Sequence, residues 1–180
     1  MKTLETTVKV NISNHFGTDG AALYVGTYKK YNSGSLFGEW LQLDTFEDGE
    51  EFFEVCRILH ADEEHPEFMF QDYSGIPESA YFECLSVEYI DNLIEFAKLD
   101  EYDREAVCDL MEKGCDISEA LENYGDNYGK FDSFKEFVEY YADELMNIPE
   151  HLTCFIDYDK IEHSLDFDFF IGANGFVFLR

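Results

Sequence analysis

Apolar positions recur at helical spacing through most of the chain and at strand spacing toward its two ends. Thr6 to Ile12 alternates, with Val8, Val10 and Ile12 on one side, a weak strand pattern. His15 to Gly20 reads as a turn and Ala22 to Tyr28 as a strand. Asn32-Ser33-Gly34 then leads to a second strand near Leu36 to Leu43, a hairpin-like arrangement. From about Asp48 to Ala61, Phe52, Val55, Cys56 and Leu59 fall at i, i+3, i+4 and i+7, the mark of one buried helical face. Ser86 is placed to cap a helix from Val87 to Lys98 whose inner set is Ile90, Leu93, Ile94 and Ala97.

The same design continues downstream. Asp100 can cap a helix with Val107, Leu110 and Met111 inside, ending near Gly114, and Asp116 with Glu119 makes a capping-box-like start to a short helix through Tyr124. Gly125 and Gly129 break the chain. Ser133 to Leu145 carries Phe134, Phe137, Val138, Tyr141 and Leu145 as an apolar stripe. Pro149 starts a short turn or helix, Asp157 can cap Tyr158 to Leu165, and Phe167 to Ile171 with Phe176 to Leu179 forms a hairpin around Ala173-Asn174-Gly175. The expected class is α+β in three small sections. Residues 1–85 hold an antiparallel sheet with a helix, residues 86–126 are helical, and residues 127–180 mix helix and strand.

Composition allows a real core, with 180 residues, 46% hydrophobic content, 18 Phe, 12 Tyr and 1 Trp. No run approaches the eighteen or so apolar residues of a membrane span, and Met1 to Asn14 lacks a signal-peptide block, so a cytoplasmic protein is expected. Five widely spaced cysteines (Cys56, Cys84, Cys108, Cys115, Cys154) suit reduced, mostly buried thiols better than a disulfide framework.

Charge changes the picture most. The net charge is −28, and it is unevenly spread: residues 1–43 hold 3 acids and 4 bases, the remaining 137 residues 37 acids and 8 bases. Asp44 to Asp72 alone has eleven carboxylates against Arg57, with Phe46, Phe52, Phe53, Val55, Ile58 and Leu59 threaded between them. A disordered acidic tail lacks such apolar residues. Direct nucleic-acid binding is disfavoured, because it needs Lys and Arg against phosphates.

The acids fall opposite the apolar faces. They are Glu47, Glu50 and Glu54 on the first long helix, followed by Asp62, Glu63, Glu64 and Glu67 in its tail. On the next helices come Glu88, Asp91 and Glu95, then Glu101, Glu105, Asp109 and Glu112, then Glu136, Glu139 and Asp143. Like charges at i,i+4 cost a helix roughly 0.2–0.5 kcal/mol per pair, and a surface shaped for solubility alone mixes signs. A single stripe is best read as a solvated face. Four stripes of one sign point to a binding surface for a basic partner. Halophilic adaptation also makes acidic surfaces, but it leaves the nearly neutral first quarter unaccounted for.

Chemistry-bearing motifs are weak. Asp157, Asp159 and Asp168 resemble a calcium loop, but Glu162 stands where Gly is required and Asp168 where Glu is usual. His151 with Cys154 is an isolated pair, and Asn123 to Lys130 lacks the ending of a phosphate loop. No nucleophile and base pair is found, so no catalytic residue, metal or cofactor is assigned.

Three segments carry a family resemblance. Tyr24 to Leu43 (YVGTYKKYNSGSLFGEWLQL), Pro66 to Tyr73 followed by Gly75, Ile76 and Pro77, and Ile148-Pro149-Glu150 running to Ile156-Asp157-Tyr158 resemble the ArdA antirestriction proteins in the same order, over roughly Tyr24 to Leu165. That resemblance implies a non-catalytic DNA mimic that occupies the DNA groove of type I restriction-modification enzymes, at their methyltransferase core, and protects incoming mobile DNA. It also implies an elongated homodimer of three sections per chain, joined through the C-terminal section, with Ile148 and Phe155 as the expected contact. His163-Ser164 replaces the Arg-Asp pair that commonly precedes the leucine matching Leu165, so no role of that pair transfers. An acidic adaptor or chaperone for basic nucleoid proteins remains the alternative.

Overall fold

The computed structural model describes residues 12–146 and 148–180. The weak strand expected over residues 6–12 lies almost entirely outside them. Two compact units are formed, 1–99 and 100–180, a coarser grouping than the three sections expected from the helix breaks.

Unit 1 is built on a three-stranded antiparallel sheet, order β2-β1-β3, with β1 Ala22–Thr27 central, β2 Glu39–Gln42 and β3 Phe68–Ser74. The centre suits β1 because all its residues but Tyr24 are buried. Both sheet edges are covered. Gly17 N donates to Trp40 O (3.2 Å) on the β2 side, and on the β3 side Phe70 N donates to Glu83 O (3.0 Å) while Tyr81 donates its hydroxyl to Phe70 O (2.6 Å).

The β1–β2 connection is not a tight hairpin. Thr27 Oγ1 accepts from Lys30 N, capping a helical turn, α1 Tyr28–Asn32, before Gly34 turns the chain at φ +82°. The second strand is accordingly shorter than expected. β3 itself was not anticipated, since Phe68-Met69-Phe70 followed by Gln71-Asp72 does not alternate.

Helix α2 Gly49–Leu59 closes the sheet's inner face through Phe52, whose ring lies 5.1 Å from Phe46 and 6.0 Å from Phe70. Asp48 caps it by accepting from Glu51 N, and the Glu51 carboxylate accepts from the N–H of Glu47, the residue before the cap. Helix α3 Val87–Lys98 is capped by Ser86 as expected and buries Ile90, Leu93, Ile94 and Ala97.

In unit 2, α4 Glu101–Lys113 starts at Asp100 and stops at Gly114 in the left-handed region (φ +113°), and α5 Ile117–Asn123 starts at Asp116. Ser133 caps α6 Phe134–Tyr140, which continues as a π turn, Tyr141–Leu145. After the 3-10 turn Glu150–Phe155 comes α7 Tyr158–Leu165, capped by Asp157, and then the antiparallel hairpin β4 Phe169–Ile171 and β5 Val177–Leu179. Phe137, Val138, Leu165, Phe169 and Val177 form its buried cluster. The thiols depart from expectation: Cys56 is buried, but Cys84 and Cys154 are exposed.

Candidate functional site

Amphipathic helices with apolar inner faces turn the opposite face outward by periodicity alone. On α2 this exposes Glu50 and Glu54, with Glu47 just before it. On α3 it exposes Glu88, Asp91 and Glu95, on α4 Glu101 and Glu112, and on α6 Glu136 and Glu139, with Asp143 in the following π turn. Asp62, Glu64 and Glu67 are exposed in the segment after α2. Among the described residues, every ion pair involves Asp62, Glu63, Glu105, Asp157 or Asp166. The helix stripes therefore keep most of their charge unneutralised. Some of these acids also hold structure: Asp91 accepts from Gly49 N at 2.6 Å, tying α3 to the start of α2, and Glu136 accepts from Asp132 N.

Two expected members are not on the exposed surface. Asp109 is buried, 1% exposed, because the turn of the β4–β5 hairpin covers that side of α4. Its carboxyl accepts from Asn174 N (2.8 Å), Asn174 Nδ2 (2.9 Å) and Phe176 N (3.1 Å). Glu63 is likewise buried, accepting from Thr27 Oγ1 at 2.7 Å and pairing with Lys30 Nζ at 3.1 Å. Both are structural acceptors. Glu105 is half-buried and paired with Lys130. Conversely, Glu119, Glu122 and Asp126 are exposed around α5 and were not singled out, although i,i+3 spacing of acids was visible there.

Around Lys30 lies a polar knot. His60 is buried, with Nε2 3.2 Å from Val25 O and Nδ1 3.0 Å from Lys30 Nζ, while Lys30 also meets Asp62 at 2.7 Å and the Phe37 ring at 5.0 Å. These contacts make Nδ1 the acceptor and Nε2 the donor of a neutral ring. Burial pushes the His60 pKa below its ordinary value, the bond to Val25 O opposes this, and the Lys30 charge adds to the lowering. The bond from Lys30 holds Asp62 below the usual carboxylate range, and the bond from Thr27 does so for Glu63.

The sign of the His60 effect follows directly. Above the unfolded histidine's pKa, roughly 6.5, both states are neutral and stability is unaffected. As pH falls below it, the unfolded chain takes the proton first and stability is lost until the folded form is also protonated. Urea unfolding from pH 7.5 to 5 is expected to give a midpoint that falls on acidification more in the parent than in His60→Gln. Parallel profiles for the two proteins would remove His60 as the cause.

Ile148 is half-buried and Phe155 is 80% exposed, and Leu145, Met146 and Leu152, close to them along the chain, are exposed as well. Among the described residues no cluster of three His, Cys, Asp or Glu is placed to hold a metal ion, and no helix is long and apolar enough to cross a membrane. The family model described as antirestriction protein (ArdA) matches residues 23–178. No curated protein matches the chain.

Proposed function

The chain belongs to the ArdA antirestriction family, and from that premise we propose that it inhibits type I restriction-modification enzymes by presenting its acidic surface in place of B-form DNA. The observation that carries this reading is the set of outward carboxylates on α2, α3, α4 and α6 that lack cation partners. Rigid helices hold such charges about 5–6 Å apart. With one charge per roughly 1.7 Å of duplex axis, 28 net charges correspond to about 48 Å of DNA.

The mechanism is competitive. Carboxylates take the place of phosphates against the Lys and Arg of the enzyme's methyltransferase core, and no bond is made or broken. Folded supports keep the charges in place, so little ordering entropy is lost on binding.

Expression in cells carrying a type I system, followed by challenge with unmodified phage DNA, is expected to relieve restriction. Unchanged restriction, together with capture of histone-like proteins, would favour the adaptor reading. With purified components, raising salt from about 0.05 to 0.2 M should weaken inhibition more than roughly tenfold, because exposed charge contacts are screened. Salt-independent inhibition would count against the mimic.

The chain also pairs with a second copy through the apolar segment that holds Ile148 and Phe155, in this reading. Phe155→Asp is expected to shift sedimentation from dimer to monomer at micromolar concentration. An unshifted profile would move the contact elsewhere.

A further inference from the structure

The β4–β5 hairpin has one edge paired with further backbone and one edge unpaired. On the β5 side, Tyr128 N donates to Val177 O (2.8 Å) and Val177 N donates to Gly129 O (3.2 Å), so the backbone of Val177 points away from β4. Across the ladder Ile171 opposes Val177 and Phe169 opposes Leu179, while bonds from Gly172 N to Phe176 O and from Arg180 N to Asp168 O bracket the pair. Opposed residues of an antiparallel ladder alternate between exchanging both bonds and exchanging none. Phe170 and Phe178 therefore exchange theirs. The N–H and C=O groups of Phe169 and Ile171 face away from β5, and among the described residues they have no hydrogen-bond partner on that side. Phe169 is buried and Ile171 half-buried, so Ile171 is the position at which this edge can be reached.

A groove of about 650 Å³ lies beside this strand. Ile171 and Phe170 line it from β4, Asp159 and Glu162 from α7 and Asp166 from just after it, and Phe134 adds apolar surface. Two of its cations are already engaged: Arg180 bonds to Asp166 O (3.0 Å), and Lys113 Nζ sits 4.8 Å from the Phe170 ring centre. Asp159 and Glu162 have no ion-pair partner among the described residues.

An unpaired strand edge facing a helix, with apolar surface between, is the geometry of peptide recognition by strand addition. We infer that this groove takes an extended segment of a partner protein, added as a strand to β4. Its basic side chains meet Asp159 and Glu162, and its apolar ones rest on Phe134 and Phe170. Asp159 and Glu162 outnumber Lys113, the one lining Lys or Arg without an ion pair among the described residues, and the net charge of −28 adds to the same sign, so a basic segment is favoured over an acidic one. This mode goes beyond the proposed DNA mimicry, since it depends on backbone geometry as well as on field.

The test uses the full chain and a fluorescein-labelled hexapeptide alternating lysine with valine and phenylalanine. Its control is the same peptide with every amide N-methylated, which keeps the charge but removes the strand-pairing donors. At about 0.15 M salt the unmodified peptide is expected to bind roughly tenfold tighter than the control, and hydrogen exchange at the Ile171 amide should slow when it binds. Ile171→Pro deletes one outward donor at a position where an edge strand tolerates proline, and it should erase most of the difference between the peptides. Glu162→Lys should weaken the unmodified peptide without altering the strand.

Equal binding of the two peptides by the parent protein would overturn the inference, because the acidic field alone attracts both. So would binding that leaves Ile171 exchange unchanged. A change of oligomeric state in Ile171→Pro would assign the edge to a second copy, and also overturn it. None of these readouts involves restriction, so failure here and failure of the mimic are separable.

Discussion

Asp109→Ala is expected to lower the stability of unit 2 by roughly 3–5 kcal/mol, since it deletes an acceptor that serves buried donors. Phe176 is fully buried and its N–H has no other partner among the described residues, so that donor loses its bond without gaining water. Asn174 is half-buried and can partly rehydrate. Whole domains are stable by only about 5–15 kcal/mol, so the variant should show a clear fall in urea midpoint. Gly172→Ala should act in the same direction, because its new methyl group would collide with the Asp109 side chain. If Asp109 were instead an exposed charge, Asp109→Ala would reduce inhibition and leave the midpoint where it was. The two readings thus separate on a stability measurement.

Neutralising exposed stripes should do the reverse. In a variant carrying Glu47→Gln, Glu50→Gln, Glu54→Gln, Glu88→Gln and Glu95→Gln, the fold is expected to hold or gain slightly, as like-charge repulsion at i,i+4 is relieved. Inhibition of a type I enzyme should fall by at least about tenfold and become less dependent on salt. Each single change should cost less than about fivefold, on the scale of one exposed charge contact. These residues are exposed and form no ion pair among the described residues, so no fold contact obscures the result. Asp91 is left in place because it accepts from Gly49 N. A loss concentrated in one of the five positions would point to a local site instead of a distributed surface. An unchanged quintuple variant would remove α2 and α3 from the contact.

The helices were legible because their determinants are local. Ser86, Asp100, Asp116 and Asp157 cap as expected, and Asp48 and Ser133, at the expected helix starts, cap as well, since a cap needs only the next three residues. The inner faces of α2 and α3 were readable from period alone. The sheet was less legible. β3 pairs with β1 across more than forty residues of chain, and the register shifts between Tyr24 and Val25, so no local pattern announces it. α1 was missed because Thr27 ends a strand and caps a helix at once.

For the candidate surface, the sequence by itself determined the sign, the amount and the helical spacing of the charge, because amphipathic period assigns the acids to the face opposite the core. Only the tertiary structure decided which acids remain outside. Glu63 and Asp109 have the same chemistry and similar spacing as their neighbours, yet Thr27 and Lys30 enclose the first and the hairpin turn 174–176 encloses the second. Those partners lie 36, 33 and 65–67 residues away in sequence. A helical period describes one helix against an unspecified core, and it carries no information about a second element that covers the other side. The open edge of β4 is decided at the same level, since which strand edge stays unpaired depends on where residues 128–131 come to lie.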